Sequence, residues 1–220
     1  MGRAGSIEAD AGGFVMYISK NYLMSNEQDA ISFMQRYSFA TIISVINNTP
    51  EATHIPFMIG KRDGKLILSA HFAKANSQAA VIDQSNVLVI FSEPHAYISP
   101  SHYEKETEVP TWNYIAIHAY GKATVLHNEA DKFRLLEHTI NTYEPAYLKQ
   151  WEALPIEFRS GTTKGITAFE IEVTDLQAKQ KLSQNKTVNE QNSIINALKK
   201  SSNTNENDIA AYMQAVKGNT

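Results

Sequence analysis

Between Phe39 and Val125 the chain is a succession of β-branched runs cut by turn signals, and this pattern limits its fold more than any other feature. Phe39 to Ile46 is followed by Asn47-Asn48-Thr49-Pro50, and Thr53 to Ile59 by the hairpin pair Asp63-Gly64. Leu66 to Ala70 supplies the next strand. Val87 to Phe91 is apolar at every position, which marks a central strand buried on both faces. Tyr114 to Val125 alternates as a long strand with Gly121 as its bulge, and Ile166 to Val173 alternates as the last. About six strands make one curled antiparallel sheet, best protected from edge pairing by closure into a barrel.

Helices flank this sheet. Ser25 and Gln28 have the spacing of a capping box and open a helix from about 26 to 37. Asn76 caps a helical turn through Ile82, and Asn128 caps a helix with Phe133, Leu136, Ile140 and Tyr143 on one face. Pro145 and Pro155 bracket an irregular helical segment containing Trp151. Thr187 and Glu190 form a second capping box ahead of Ile194, Ile195 and Leu198. After a polar break from Ser201 to Asn207, Ile209, Tyr212, Met213 and Val216 define a final amphipathic helix. The reading is therefore α+β, mostly β. Residues 1–15 form a Gly- and Ala-rich leader before Met16, which looks like a natural start. A barrel domain spans 16–180, and a helical C-terminal arm 181–220.

Composition excludes several roles. With 43% hydrophobic and 20% charged residues the chain is a packed globule rather than a disordered one. A net charge of -3 provides no general attraction to nucleic acid. There is no cysteine, so disulfides and thiolate chemistry are absent; this fits a reducing cytoplasm. No apolar run approaches the length of a membrane span. The seven histidines are scattered without metal-ligand spacing, so no metal is expected. Gly-x-Gly-x-x-Gly, Walker and Gly-x-Ser-x-Gly motifs are all missing.

Three stretches carry chemistry. From Phe91 to Gly121 the chain crosses a loop in which Tyr97, Tyr103, Trp112 and Tyr114 sit among His95, His102, Ser99, Ser101 and Asn113. Aromatic faces mixed with hydrogen-bonding groups suit a planar ligand with polar edges, and equally suit a loop packed over a barrel end. In the second stretch, Ser69, His71, Lys74 and Asn76 combine hydroxyl and imidazole donors, a cation and a helix start, a set suited to phosphate. An ordinary strand–turn–helix with a surface lysine has the same spacing. The third stretch, Lys181 to Lys186, offers Gln184 and Asn185 to read a heterocycle edge, or is a solvated linker.

Those words in that order resemble the PaiB family of FMN-binding negative transcriptional regulators. The matching words are His71-Phe72-Ala73 with Ala75-Asn76, Pro94 to Ser101, Val109 to Tyr114, and Lys181 to Asn185. The resemblance, running from about Met16 to the end, implies a split β-barrel related to pyridoxamine-phosphate-oxidase-like flavoproteins. It implies a homodimer with FMN in a groove between subunits. Ser69, His71, Lys74 and Asn76 would serve the ribityl-phosphate end. Thr111, Trp112 and Asn113 would line the ring, and Lys181, Gln184, Asn185 and Lys186 would close the site. Some positions depart from the family words: Lys74 and Lys186 stand for Arg, His102 for Trp, and Ser77 and Ala79 for Pro and Trp. Lysine keeps the charge but loses the bidentate fork. Direct DNA binding has weak support, because the last helix carries Glu206 and Asp208 and no basic stripe. The competing roles are a flavin-dependent oxidoreductase of a small molecule and a haem-handling split barrel.

Overall fold

The computed structural model describes residues 16–84 and 86–218, so the leader expected over 1–15 lies outside the described residues. Among these residues eight strands form one antiparallel sheet: β1 (Phe39–Ile46), β2 (Thr49–Pro56), β3 (Met58–Arg62), β4 (Lys65–Ala73), β5 (Asn86–Phe91), β6 (His95–Ile98), β7 (Thr111–Val125) and β8 (Ile166–Lys181). Their order is β2-β1-β5-β7-β8-β4-β3, with β6 added alongside β7. The expected hydrogen-bonded closure is not made, for the ladder is open between β2 and β3. Those two end strands are instead consecutive in the chain and meet at Phe57. Its fully buried ring packs edge-on to Phe91 and Phe169, which brings the sheet's two ends around one core.

Local chemistry explains most of the boundaries. Asn47, Asn48, Asp63 and Gly64 all hold positive φ, the conformation that two-residue hairpin turns require. Gly121 sits at the β7 register shift, and a Cβ there would lie 2.2 Å from the Glu172 carbonyl oxygen, so no side chain fits. The first helix, α1 (Glu27–Arg36), is capped by Asn26 rather than Ser25. The Asn26 carboxamide oxygen is placed to accept from the Gln28 and Asp29 amides, leaving the expected box unmade. Between β7 and β8 lie α2 (Glu129–Tyr143), α3 (Leu148–Ala153) and α4 (Ile156–Lys164). The arm contains α5 (Val188–Leu198), opened by the Thr187–Glu190 capping box, and α6 (Thr204–Gly218).

Alternation along the strands sorts the side chains. Leu68, Phe72, Val89, Ile115, Ile117 and Phe169 face inward and form one core, to which α5 and α6 contribute Ile194, Ile209 and Met213. A small second cluster joins Leu135 of α2 to Met58 and Ala168 on the outer face. Another part of that outer face stays uncovered. The rows Thr41, Ile90, His118 and Ile43, Leu88, Tyr120 run side by side across β1, β5 and β7, half-buried and outside both clusters. Among the described residues no helix is long and apolar enough to cross a membrane, and no group of three or more His, Asp or Glu side chains could hold a metal.

Candidate functional site

Pairing of β7 with β8 sets Tyr114 opposite Lys181, and this register brings two of the three chemical stretches together. The Lys181 ammonium donates to the Thr111 hydroxyl. Beyond the strand, Ser183 turns the chain at φ 60° and its hydroxyl donates to Asn113 Oδ1 at 3.0 Å. Gln184 closes that turn on itself, accepting from the Leu182 amide and donating to the Gln180 carbonyl. Asn185 accepts from the Tyr22 hydroxyl at 3.1 Å. Lys186 is held on two sides, 2.9 Å from Glu108 and 3.9 Å above the Tyr103 ring. Its hydrogen bond to Glu108 raises its pKa, so it stays a cation. One carboxylate ties the assembly to the arm. Glu190 accepts from the Thr187 amide, completing its cap, and from the Glu104 amide of the 99–110 loop, and both bonds depress its pKa.

Trp112 and Asn113 are neighbours with opposite fates, because consecutive strand residues point to opposite faces. Asn113 is wholly buried, and its Nδ2 donates to Met213 Sδ at 3.4 Å while its Oδ1 takes the Ser183 proton. Trp112 is 52% exposed and stands beside Tyr97 and His95, both with ring centroids 5.8 Å away. That open aromatic wall exists because β6, read from sequence as loop, pairs Tyr97 directly with Trp112.

The remaining stretch lies elsewhere. Ser69 and His71 share the outer face of β4, where Ser69 Oγ is 3.5 Å from a Glu170 carboxylate already gripped by both Nη atoms of Arg62. Burial lowers the His71 pKa, which favours the neutral ring. Lys74 is exposed, its amide donates to the Gly165 carbonyl, and its ammonium has no partner among the described residues. Asn76 is spent on structure: its Oδ1 accepts from the Gln78 amide and its Nδ2 donates to Thr53. Gln78, 1% exposed, then binds Ser44, Thr53 and the Glu51 carbonyl, fastening the turn after β4 to β1 and β2. The helical turn that Asn76 caps is a four-residue 3-10 turn, Ser77–Ala80, too short for the dipole of a real helix to matter.

These two regions sit at opposite ends of β8. His71 pairs with Ala168 and Tyr114 with Lys181, and those two partners stand 13 positions apart on β8. At ~3.3 Å per residue that is roughly 40 Å of strand, longer than a flavin mononucleotide. The donor sets fit the two halves of such a molecule. An uncompensated ammonium three residues on from an imidazole that burial keeps towards its neutral form suits a phosphate monoester, and the Trp112–Tyr97 wall suits a flat ring.

The fold is that of a flavin-binding split barrel. The chain belongs to the PaiB-type FMN-binding family: the family described as "Putative FMN-binding domain" matches residues 16–175. It is 35% identical over 202 residues to the protease synthase and sporulation protein PAI 2 of Bacillus subtilis (strain 168), covering 90% of this chain and 97% of that protein. Among solved structures, the FAD and heme binding protein from Mycobacterium smegmatis aligns with TM-score 0.57 at 13% identity, over 73% of each chain. The flavocytochrome Anf3 from Azotobacter vinelandii aligns with TM-score 0.55 at 13% identity, over 70% of this chain and 67% of that one. At such identities the two structures establish the fold alone.

Proposed function

We propose that the protein binds FMN as a homodimer, with the phosphate at His71 and Lys74 of one chain and the ring against Trp112 and Tyr97 of its partner, and that it is a cytoplasmic PaiB-type regulator. The observation that carries this reading is the separation along β8: one flavin meets both donor sets only if two chains supply them. The uncovered apolar rows on β1, β5 and β7 support it, since such a face is best hidden against a second copy. Ser69 lies beside the phosphate position. Asn76 and Asn113, with their side chains spent inside the fold, position Lys74 and Trp112 rather than touch ligand. Thr111, Lys181, Gln184 and Asn185 fix the turn beside the ring, and Lys186 closes over it from its seat on Glu108 and Tyr103. Bound FMN supplies reversible redox chemistry; the chain supplies orientation and charge.

Regulation by direct operator contact fits this surface poorly. Asp208 at the start of α6 is bonded to Arg36 and Tyr37, so the helix is a packing element. Control through flavin state or a protein partner suits it better.

The test is complementation between chains. Lys74→Ala and Trp112→Ala homodimers each lack one half of every site, whereas a mixed dimer regains one intact site. Flavin fluorescence titration of subunit-exchanged mixtures is expected to recover tight binding in a fraction of sites. No recovery, or a monomer by light scattering, refutes the shared site.

A further inference from the structure

Where the arm meets the open end of the barrel lies a cavity of about 530 Å³, within the ordinary size range for a small-molecule pocket. Its apolar walls come from three elements, with Leu182 just past β8, Val188 on α5, and Met213 and Val216 on α6. Four carboxamide side chains, Asn21, Gln180, Gln184 and Gln191, stand around those walls, and no acidic side chain is among the described residues lining it. Gln184 is spent on its own turn, but the other three keep hydrogen-bonding capacity. The Asn21 and Gln180 amide groups have no partner among the described residues, and Gln191 uses only its Nε2, on the Lys186 carbonyl. Among the described residues lining it the one cation is Lys217, which already donates to Asn192 at 2.6 Å. A second hollow of about 330 Å³ shares Gln180 and Val216 and extends the groove towards α1.

We infer that this seam cavity is a binding site for a small, planar, uncharged ligand with a carboxamide or lactam edge. Carboxamides both donate and accept, so they read such an edge in either orientation, while apolar walls take the ring. Ionised ligands are disfavoured because the described lining residues offer neither an acid nor an unengaged base. The cavity is separate from the aromatic wall. Gln180 pairs with the core residue Ile115 and shares its face, whereas Lys181 pairs with Tyr114 on the opposite face. Gln180 and the aromatic wall therefore lie on opposite faces of the same strand end, with Gln184 of the turn beyond it lining the cavity, and only the placement of FMN on the outer face rests on the proposed function.

Benzamide is the probe, added to the full-length protein without flavin and followed by amide and side-chain NH₂ resonances. Shifts are expected at Asn21, Gln180 and Gln191 and not at the Trp112 indole, with benzoate weaker. Val188 is 59% exposed, so Val188→Trp fills the cavity without disturbing the core and is expected to abolish those shifts. Gln180→Leu keeps the volume but removes one partner, and is expected to weaken benzamide roughly fivefold. The inference is overturned if benzamide produces no shifts, if they persist in Val188→Trp, or if FMN displaces benzamide. Failure of FMN to bind leaves the benzamide result unaffected, so the two readings fail separately.

Discussion

Lys74→Ala isolates the electrostatic half of the proposed flavin site. The side chain is exposed and its ammonium has no partner among the described residues, so removing it breaks nothing in the folded protein. Stability should therefore change by no more than about 0.5 kcal/mol. Against a phosphate the same ammonium makes a charge-assisted bond worth roughly 1.5–3 kcal/mol, the lower end applying to a solvated group. Each 1.4 kcal/mol is about tenfold in Kd, so the loss should be roughly ten- to hundredfold. Lys74→Arg should hold or improve affinity, because the guanidinium fork donates to two phosphate oxygens. The assay is quenching of FMN fluorescence at two salt concentrations, with riboflavin as the ligand lacking phosphate. Riboflavin affinity should not respond to the substitution. Equal losses for both flavins, or no loss for FMN, would refute the assignment of phosphate to this end of β4.

Three further outcomes are expected. Ile43→Asp places a charge in the uncovered row on β1 and should turn the proposed dimer into monomer in sedimentation while leaving the secondary-structure spectrum intact. Burial within the chain lowers the His118 pKa on that same face, so its neutral form stabilises the fold above the ordinary value of 6.5 and that contribution fades as pH falls through 6.5 towards the lower folded value. The unfolding free energy measured across that interval should fall on acidification and become flatter in His118→Gln. Gly121→Ala drives a methyl group into the Glu172 backbone and should cost about 3 kcal/mol in denaturant unfolding, whereas Gly60→Ala, with nothing nearby, should cost far less.

The strands were legible because their determinants are local. Alternating apolar residues, the Asn47-Asn48 and Asp63-Gly64 turns and the Gly121 bulge each act within a few residues, and each appears where the pattern puts it. β6 escaped because His95-Ala96-Tyr97-Ile98 is short and flanked by proline and serine; only its partner on β7 makes it a strand. The β8 extension to Lys181 escaped likewise, since Asp175 to Lys181 is polar and is held by fifteen-residue β7. At the site, the polar words were visible but their duties were not. Asn76 and Asn113 carry the hydrogen-bonding groups a ligand would want, yet Thr53, Ser183 and Met213 claim them across long stretches of chain. Glu108 and Gln78 gave no signal, because a lone acid or amide in a loop has none until its partner is placed.

The bond from Glu104 to Glu190 spans 86 positions. On a ribosome the middle of the chain is therefore finished long before the group that anchors it has been made. The 99–110 loop must wait, unsecured, until the last helices emerge, and Ile209 and Met213 must then enter a core that has stood partly open. A protein wired this way matures only once α5 and α6 have been made, so a chain stopped before Val188 should yield a product that proteases clear rather than a smaller working copy.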